Sequence, residues 1–142
     1  MDIVQAFRSA FRRKQEKCWE KIFVVVDIHD TVLHASYHNA ERYRFFPHAR
    51  QALRILSQRS DVCLILWSSS YPDALQRYVD FFSRQGIRFN HVNCNPEVDN
   101  TSLQDFSHKL YFNVGIDDRF GFQPQTDWKQ LKDYLTLACT DE

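Results

Sequence analysis

Apolar residues along this chain follow two different spacings. IFVVVDI at 22–28 and VCLILW at 62–67 are nearly unbroken apolar runs, rich in β-branched and aliphatic residues. Short runs of that kind predict strands buried on both faces, as in a parallel sheet. Residues 87–93 and LYFNVGI at 110–116 predict a third and a fourth strand. Elsewhere apolar residues recur every three or four positions, the period of a helix face. Ile3, Val4, Phe7, Ala10 and Phe11 predict a helix over 2–17. Pro47 opens a second, running to about Gln58 with Ala52, Leu53, Ile55 and Leu56 inward. Pro72 opens a third, with Leu75, Tyr78, Val79 and Phe82 on one side and Gly86 as its stop. A last helix begins near Thr126 as N-cap and turns Trp128, Leu131 and Leu135 inward. Residues 32–46 read as irregular, and 94–108, with Asn95, Pro96, Asp99 and Asn100, as a loop or broken helix.

Strands alternating with helices predict an α/β fold: a three-layer α/β/α, Rossmann-like domain around a mainly parallel sheet with right-handed crossovers. Roughly thirty residues separate Thr31 from the second strand, and about forty separate the second from the fourth; helices and a strand already occupy most of both, so no cap domain is expected. No internal repeat, low-complexity tract or linker interrupts the chain, so 1–142 is expected to be a single domain.

Composition narrows the choice of partner. The 142 residues carry 44% hydrophobic and 25% charged residues with zero formal net charge. Charge alone therefore selects neither bulk nucleic acid nor an anionic membrane. Cys18, Cys63, Cys94 and Cys139 are far apart and lack metal-finger spacing, so they are expected to be free thiols in a reducing, cytoplasmic setting, with Cys63 a small core residue. No stretch is apolar enough to span a membrane, and the N-terminus lacks a secretory apolar core. Arg8, Arg12, Arg13, Lys14 and Lys17 make the first helix basic. That suits a packed helix with solvated charges; the alternative is a targeting or partner-binding helix, which Asp2 and Glu16 weaken.

In open parallel sheets, sites form beyond the carboxyl ends of the strands. After the first strand stand Asp27, His29, Asp30 and Thr31; after the second, Ser68, Ser69 and Ser70; before the fourth, Lys109; and after it, Asp117 and Asp118. This set suits phosphoryl transfer. A carboxylate can attack phosphorus and form an acyl phosphate. Mg2+ takes hard oxygen ligands and offsets the repulsion between two anions. Lysine and serine neutralise and orient the remaining phosphate oxygens. Adjacent acids at 117 and 118 are hard to explain structurally, because like charges cost stability unless a cation or donor offsets them.

VVVDIHDT, LILWSSS, Lys109 in FSHKL and VGIDDR resemble, in order, the four motifs of the haloacid dehalogenase superfamily, over residues 22–119. The resemblance implies a capless, magnesium-dependent phosphatase. In it Asp27 is the nucleophile, and Ser68 (with Ser69 or Ser70 able to substitute) and Lys109 bind phosphate. Asp117 is the main magnesium ligand beside Asp27 and the His29 backbone carbonyl, Asp118 supports the metal, and Thr31 braces the first loop. RFFPHARQAL followed by LWSSSYPD looks like the capless magnesium-dependent and carboxyl-terminal-domain phosphatase types. An open site of that kind takes a phosphorylated substrate: a protein, a nucleotide or nucleic-acid end, or a small molecule. The departure is His29, where the family usually has a second aspartate; Asp30 follows it where glycine is common. Side chains two apart on extended backbone point the same way, so His29 is expected beside Asp27 as general acid/base. The alternative is a weak or inactive binding or regulatory module.

Other residues carry less. His34 and His38 are four apart but lack a third ligand and read as surface or substrate-loop histidines. Tyr37, Arg42, Tyr43 and Arg44 either line the entrance or form a solvated, partly packed loop. Trp67 is core or pocket wall. A phosphorylated receiver places its acid pair after the first strand, the opposite of this order, and dehalogenation has no use for Asp117 and Asp118.

Overall fold

The computed structural model describes residues 1–35 and 43–140, with the backbone alone at 138–140. His38, Tyr37 and Arg42 lie outside the described residues, as does the Cys139 side chain. The elements are α1 (Ile3–Lys17), β1 (Ile22–Val26), α2 (Ala49–Gln58), β2 (Val62–Leu66), α3 (Pro72–Arg84), β3 (His91–Val92), β4 (Val114–Ile116), a 3-10 turn (Asp118–Phe120) and α4 (Asp127–Thr140). The fold is α/β and Rossmann-like, as expected. Four strands in the order β3-β2-β1-β4 form one sheet, parallel at every pairing, with layers packed on both faces. Among the described residues no cap domain interrupts it.

The two outer layers differ. Alternate residues of the central strands, Ile22, Val24, Val26, Leu64 and Leu66, face a core filled from all four helices by residues such as Phe7, Leu53, Phe82 and Trp128. Phe23, Val25, Cys63 and Ile65 face the other way and are covered by Trp67, Val98, Leu110, Tyr111 and Phe112. Most of that second cover comes from 93–113, the crossover from β3 at one edge to β4 at the other, which contains no helix.

The strands are shorter than their apolar runs. β3 keeps two residues of 87–93 and β4 three of 110–116; β1 ends at Val26 and β2 at Leu66. The ladder continues by other means. The Asn90 N–H donates to the Leu64 carbonyl while its side-chain Oδ1 accepts from the Leu64 N–H, at 2.8 and 2.9 Å. Asn113 does the same for Phe23, with both bonds at 2.8 Å. An asparagine amide thus stands in for main chain just before β3 and β4 and satisfies groups that burial would otherwise strand.

One helix start also shifts. Pro47 precedes α2 in a turn closed by the Ala49 N–H on the Phe46 carbonyl, with His48 left-handed at φ 67°. Proline followed by a positive-φ residue is the pattern of a type II turn, so the helix begins only at Ala49. α4 starts at Asp127, directly after Thr126 as expected, and Asp127 Oδ2 adds a bond from the Gln123 N–H at 2.8 Å. α3 starts at Pro72 and ends at Arg84, and Gly86 follows at φ +80°, the left-handed stop expected. Cys18, Cys63 and Cys94 are free thiols. Among the described residues no helix is long and apolar enough to cross a membrane.

Phe82 is fully buried, with Phe45, Phe81 and Phe89 around its ring. Phe82→Ala is expected to destabilise the fold by about 3–5 kcal/mol in urea unfolding. Leu103→Ala, at a residue 93% exposed, is expected to stay within about 0.5 kcal/mol of the parent. Equal midpoints for the two variants would contradict this placement of the core.

Candidate active site

The strand order reverses at β1. β2, the next strand in the chain, pairs on one side of it and β4 on the other. Ligands of open α/β sheets bind at such a switch point, beyond the carboxyl ends of the strands. Asp27 follows β1 and Asp117 follows β4, and the Asp27 N–H donates to the Ile116 carbonyl at 2.9 Å. The two strand ends are therefore tied side by side. One carboxylate oxygen from each of Asp27, Asp117 and Asp118 lies within 4.8 Å of the others.

Thr31 joins them. Its fully buried hydroxyl lies 3.1 Å from Asp27 Oδ2 and 3.3 Å from Asp118 Oδ1, and accepts from the Asp118 N–H at 3.1 Å. A hydroxyl has one proton, so it donates to one carboxylate at a time. Asp117 Oδ1 accepts from the Arg119 N–H at 2.9 Å. Among the described residues no salt bridge reaches any of the three acids. Burial first, and then the charge of Asp117, push Asp27 up to about 6. Asp117 is also raised, chiefly by burial. The Thr31 loop is itself anchored, because Trp128 Nε1, wholly buried on α4, donates to the Thr31 carbonyl at 2.7 Å.

Asp30 and His29 separate as their backbone dictates. Asp30 is left-handed at φ 58°, a conformation that glycine adopts freely and aspartate tolerates. Its Oδ1 turns away to accept from the Ala35 N–H at 3.3 Å. The His29 ring packs edge-on against Tyr78 of α3, with Nε2 3.3 Å from the Tyr78 hydroxyl. No hydrogen bond joins His29 to Asp27; the ring is held by α3. The His29 carbonyl accepts no hydrogen bond among the described residues.

The remaining expected residues lie further round the edge. Trp67 follows β2, and its N–H donates to the Val26 carbonyl at 2.8 Å, which sets Ser68 beside the end of β1. The Ser68 Oγ contacts Ser70 Oγ at 3.1 Å and accepts from the Ser70 N–H, while its own N–H donates to Asn93 Oδ1. Ser69 is exposed. Trp67, Ser68 and Ser69 line a cleft of about 510 Å³ with Asn93, Phe106 and His108. The acids do not line this cleft. Lys109 is exposed in the crossover segment, five residues before β4, and among the described residues it makes no hydrogen bond or ion pair. His34 stacks on Phe46 at 3.9 Å and, with Arg44 nearby, is held below the usual imidazole range mainly by burial. Tyr43 packs on Tyr78 and Phe81.

A raised carboxyl binds its proton more readily in the folded than in the unfolded chain, so its ionisation costs stability as pH rises. The cost is absent below 3.8, its ordinary value, and complete above about 6. In metal-free protein, Asp27→Asn is expected to match wild-type stability near the lower limit. Above the upper limit it should be more stable by about 1–2 kcal/mol, after screening of a half-exposed group. Thermal unfolding across pH measures this difference; a difference that does not change with pH would sink the electrostatic account.

No protein-family model and no curated protein matches the chain. It is similar to a solved structure described as the conserved protein coded by a locus from Bacteroides thetaiotaomicron, with 27% identity and a TM-score of 0.63 over 83% of this chain and 92% of that one. That likeness supports the α/β fold; the description names no activity.

Proposed function

We propose that this chain is a capless, magnesium-dependent phosphohydrolase of the haloacid dehalogenase type. The observation that carries the reading is the convergence of Asp27, Asp117 and Asp118 at the switch point of the sheet, with no salt bridge to any of them among the described residues. The donor set fits a hard divalent cation: all three offer oxygen, and a buried hydroxyl braces two of them. Asp27, Asp117 and the His29 carbonyl would hold the ion, with Asp118 behind them. When bound, Mg2+ supplies charge neutralisation between the carboxylates and the phosphate.

In the reaction Asp27 attacks phosphorus as its ester P–O bond breaks, and the leaving oxygen takes a proton. Water then cleaves the acyl phosphate, returning the carboxylate and inorganic phosphate. His29 is the proposed acid/base. With Nε2 engaged by Tyr78, Nδ1 is the nitrogen left to carry the proton to the leaving group and to take one from water. Ser68 or Ser69, and Lys109 from the crossover segment, are proposed to hold the phosphate oxygens. The open mouth suits a phosphomonoester on a protein, a nucleotide or nucleic-acid end, or a small molecule. The position of His29 also motivates the second reading, a phosphate-binding or regulatory module without turnover.

Phosphate release from an aryl phosphate is expected only with magnesium and is expected to vanish in Asp27→Asn. Persistent turnover in that variant would exclude the nucleophile. His29→Ala is expected to lower kcat by roughly 10²–10⁴ and flatten its pH profile. An unchanged profile would remove the acid/base role, while magnesium binding without any phosphate release would favour the second reading.

A further inference from the structure

We propose that Cys63, His91 and Glu97 form a second metal site, for zinc or a similarly soft divalent ion, on the helix-free face of the sheet. The sheet register builds it. His91 of β3 pairs with Ile65 of β2, and Cys63 precedes Ile65 by two residues, so thiol and imidazole leave the same face of adjacent strands. Glu97 arrives from the crossover segment. Its N–H donates to Asn95 Oδ1 at 3.1 Å, and Asn95 in turn donates to the Tyr111 carbonyl at 3.0 Å. Cys63 Sγ and His91 Nε2 both point at Glu97 Oε2, at 3.2 and 2.7 Å. All three donor atoms lie within 4.8 Å of one another.

Sulfur, nitrogen and oxygen together are a zinc set, chemically unlike the all-oxygen cluster at the switch point. Bonds of about 2.0–2.3 Å place ligands on one zinc roughly 3.3–3.8 Å apart, so Glu97 has to retreat by about half an ångström. It sits on a loop and is partly exposed, which permits that shift and gives the ion a way in. Lys21 Nζ holds the other carboxylate oxygen at 2.7 Å, as outer partners of metal-bound carboxylates do, and leaves Oε2 free to turn to the ion. Phe23 and Ile65 supply an apolar floor. The ion displaces the thiol proton, which leaves to solvent, and takes the Nε2 lone pair while the imidazole proton moves to Nδ1. Cys63 lies three residues before the end of β2, about 10 Å short of the edge where Asp27 stands. The bound ion is therefore a clip that fastens the crossover segment to β2 and β3, on the face where no helix does so. This inference does not depend on the phosphohydrolase reading.

The full chain, stripped with chelator and held in excess magnesium, is titrated with zinc by calorimetry and with cobalt by absorption. One equivalent per chain is expected, with a thiolate-to-cobalt charge-transfer band and a raised unfolding temperature. Cys63→Ser is expected to abolish the band. Glu97→Gln, at a partly exposed residue and with folding checked by circular dichroism, is expected to weaken zinc by more than the roughly 10–100-fold typical of outer-partner changes. Absence of the band in folded wild type, its survival in Cys63→Ser, or zinc binding lost only in Asp27→Asn would each overturn the proposal.

Discussion

The backbone pairing of β1 with β4 is the constraint on which the rest of the site depends. The Asp27 N–H on the Ile116 carbonyl locks two strand ends in register, and both chains continue directly into acids. The Cα atoms that carry both carboxylates are therefore fixed by the ladder that buries Val26 and Ile116. The fold therefore holds like charges together against their repulsion. Thr31 lessens that repulsion but cannot cancel it, since one proton serves two carboxylates. Trp128 extends the constraint into the core: its indole fixes the Thr31 carbonyl from α4, so a change in helix packing reaches the acids through one hydrogen bond. Gly115 belongs to the same arrangement. A Cβ there would meet the Phe120 ring at 2.8 Å, so glycine in β4 lets the turn after Asp117 fold back over the strand.

The unequal faces of the sheet divide the labour. Helices on one face supply a deep, continuous core that keeps the strand ends rigid. The other face is covered by a long crossover held through side chains: Asn95 on the Tyr111 carbonyl, Asn113 on Phe23, and Glu97 between Lys21, His91 and Cys63. These ties add to the apolar cover that Val98, Leu110, Tyr111 and Phe112 give the same face. Lys109 and the wall of the 510 Å³ cleft sit on that crossover. The part of the site proposed to meet phosphate is thus carried on the crossover, and the acids on the strand ends.

Much of this was legible in sequence, for identifiable reasons. Continuous apolar runs mark β1 and β2 because both faces are covered, and strand ends followed by Asp27 and by Asp117–Asp118 mark the site because parallel sheets place such ends on one edge. Strand ends were less legible. Phe89 and Tyr111 are apolar enough to read as strand, yet Asn90 and Asn113 carry the ladder with side chains that no periodicity records. The Pro47 turn was hidden because proline serves equally as a helix start and as a turn residue. Cys63, His91 and Glu97 stayed invisible as a group: two of them meet only through the β2–β3 register, and the third through a loop. The hold of α3 on the His29 ring was equally unreadable, because Tyr78 lies 49 residues further along the chain.

The placement of the His29 ring bears on what a histidine contributes at position 29. Asp27 is already raised by its own burial and by Asp117, so a fourth carboxylate nearby would deepen a field that only a cation relieves. An imidazole at this position brings no further carboxylate charge. Held at Nε2 by Tyr78, it has one ring nitrogen committed and one available, which defines its direction without any contact to the acids. Tyr78 is itself fixed among Tyr43 and the α3 aromatics, so the histidine takes its orientation from the hydrophobic core. The carboxylate charge at this edge is therefore concentrated on Asp27, Asp117 and Asp118, with one oxygen of each within 4.8 Å of the others.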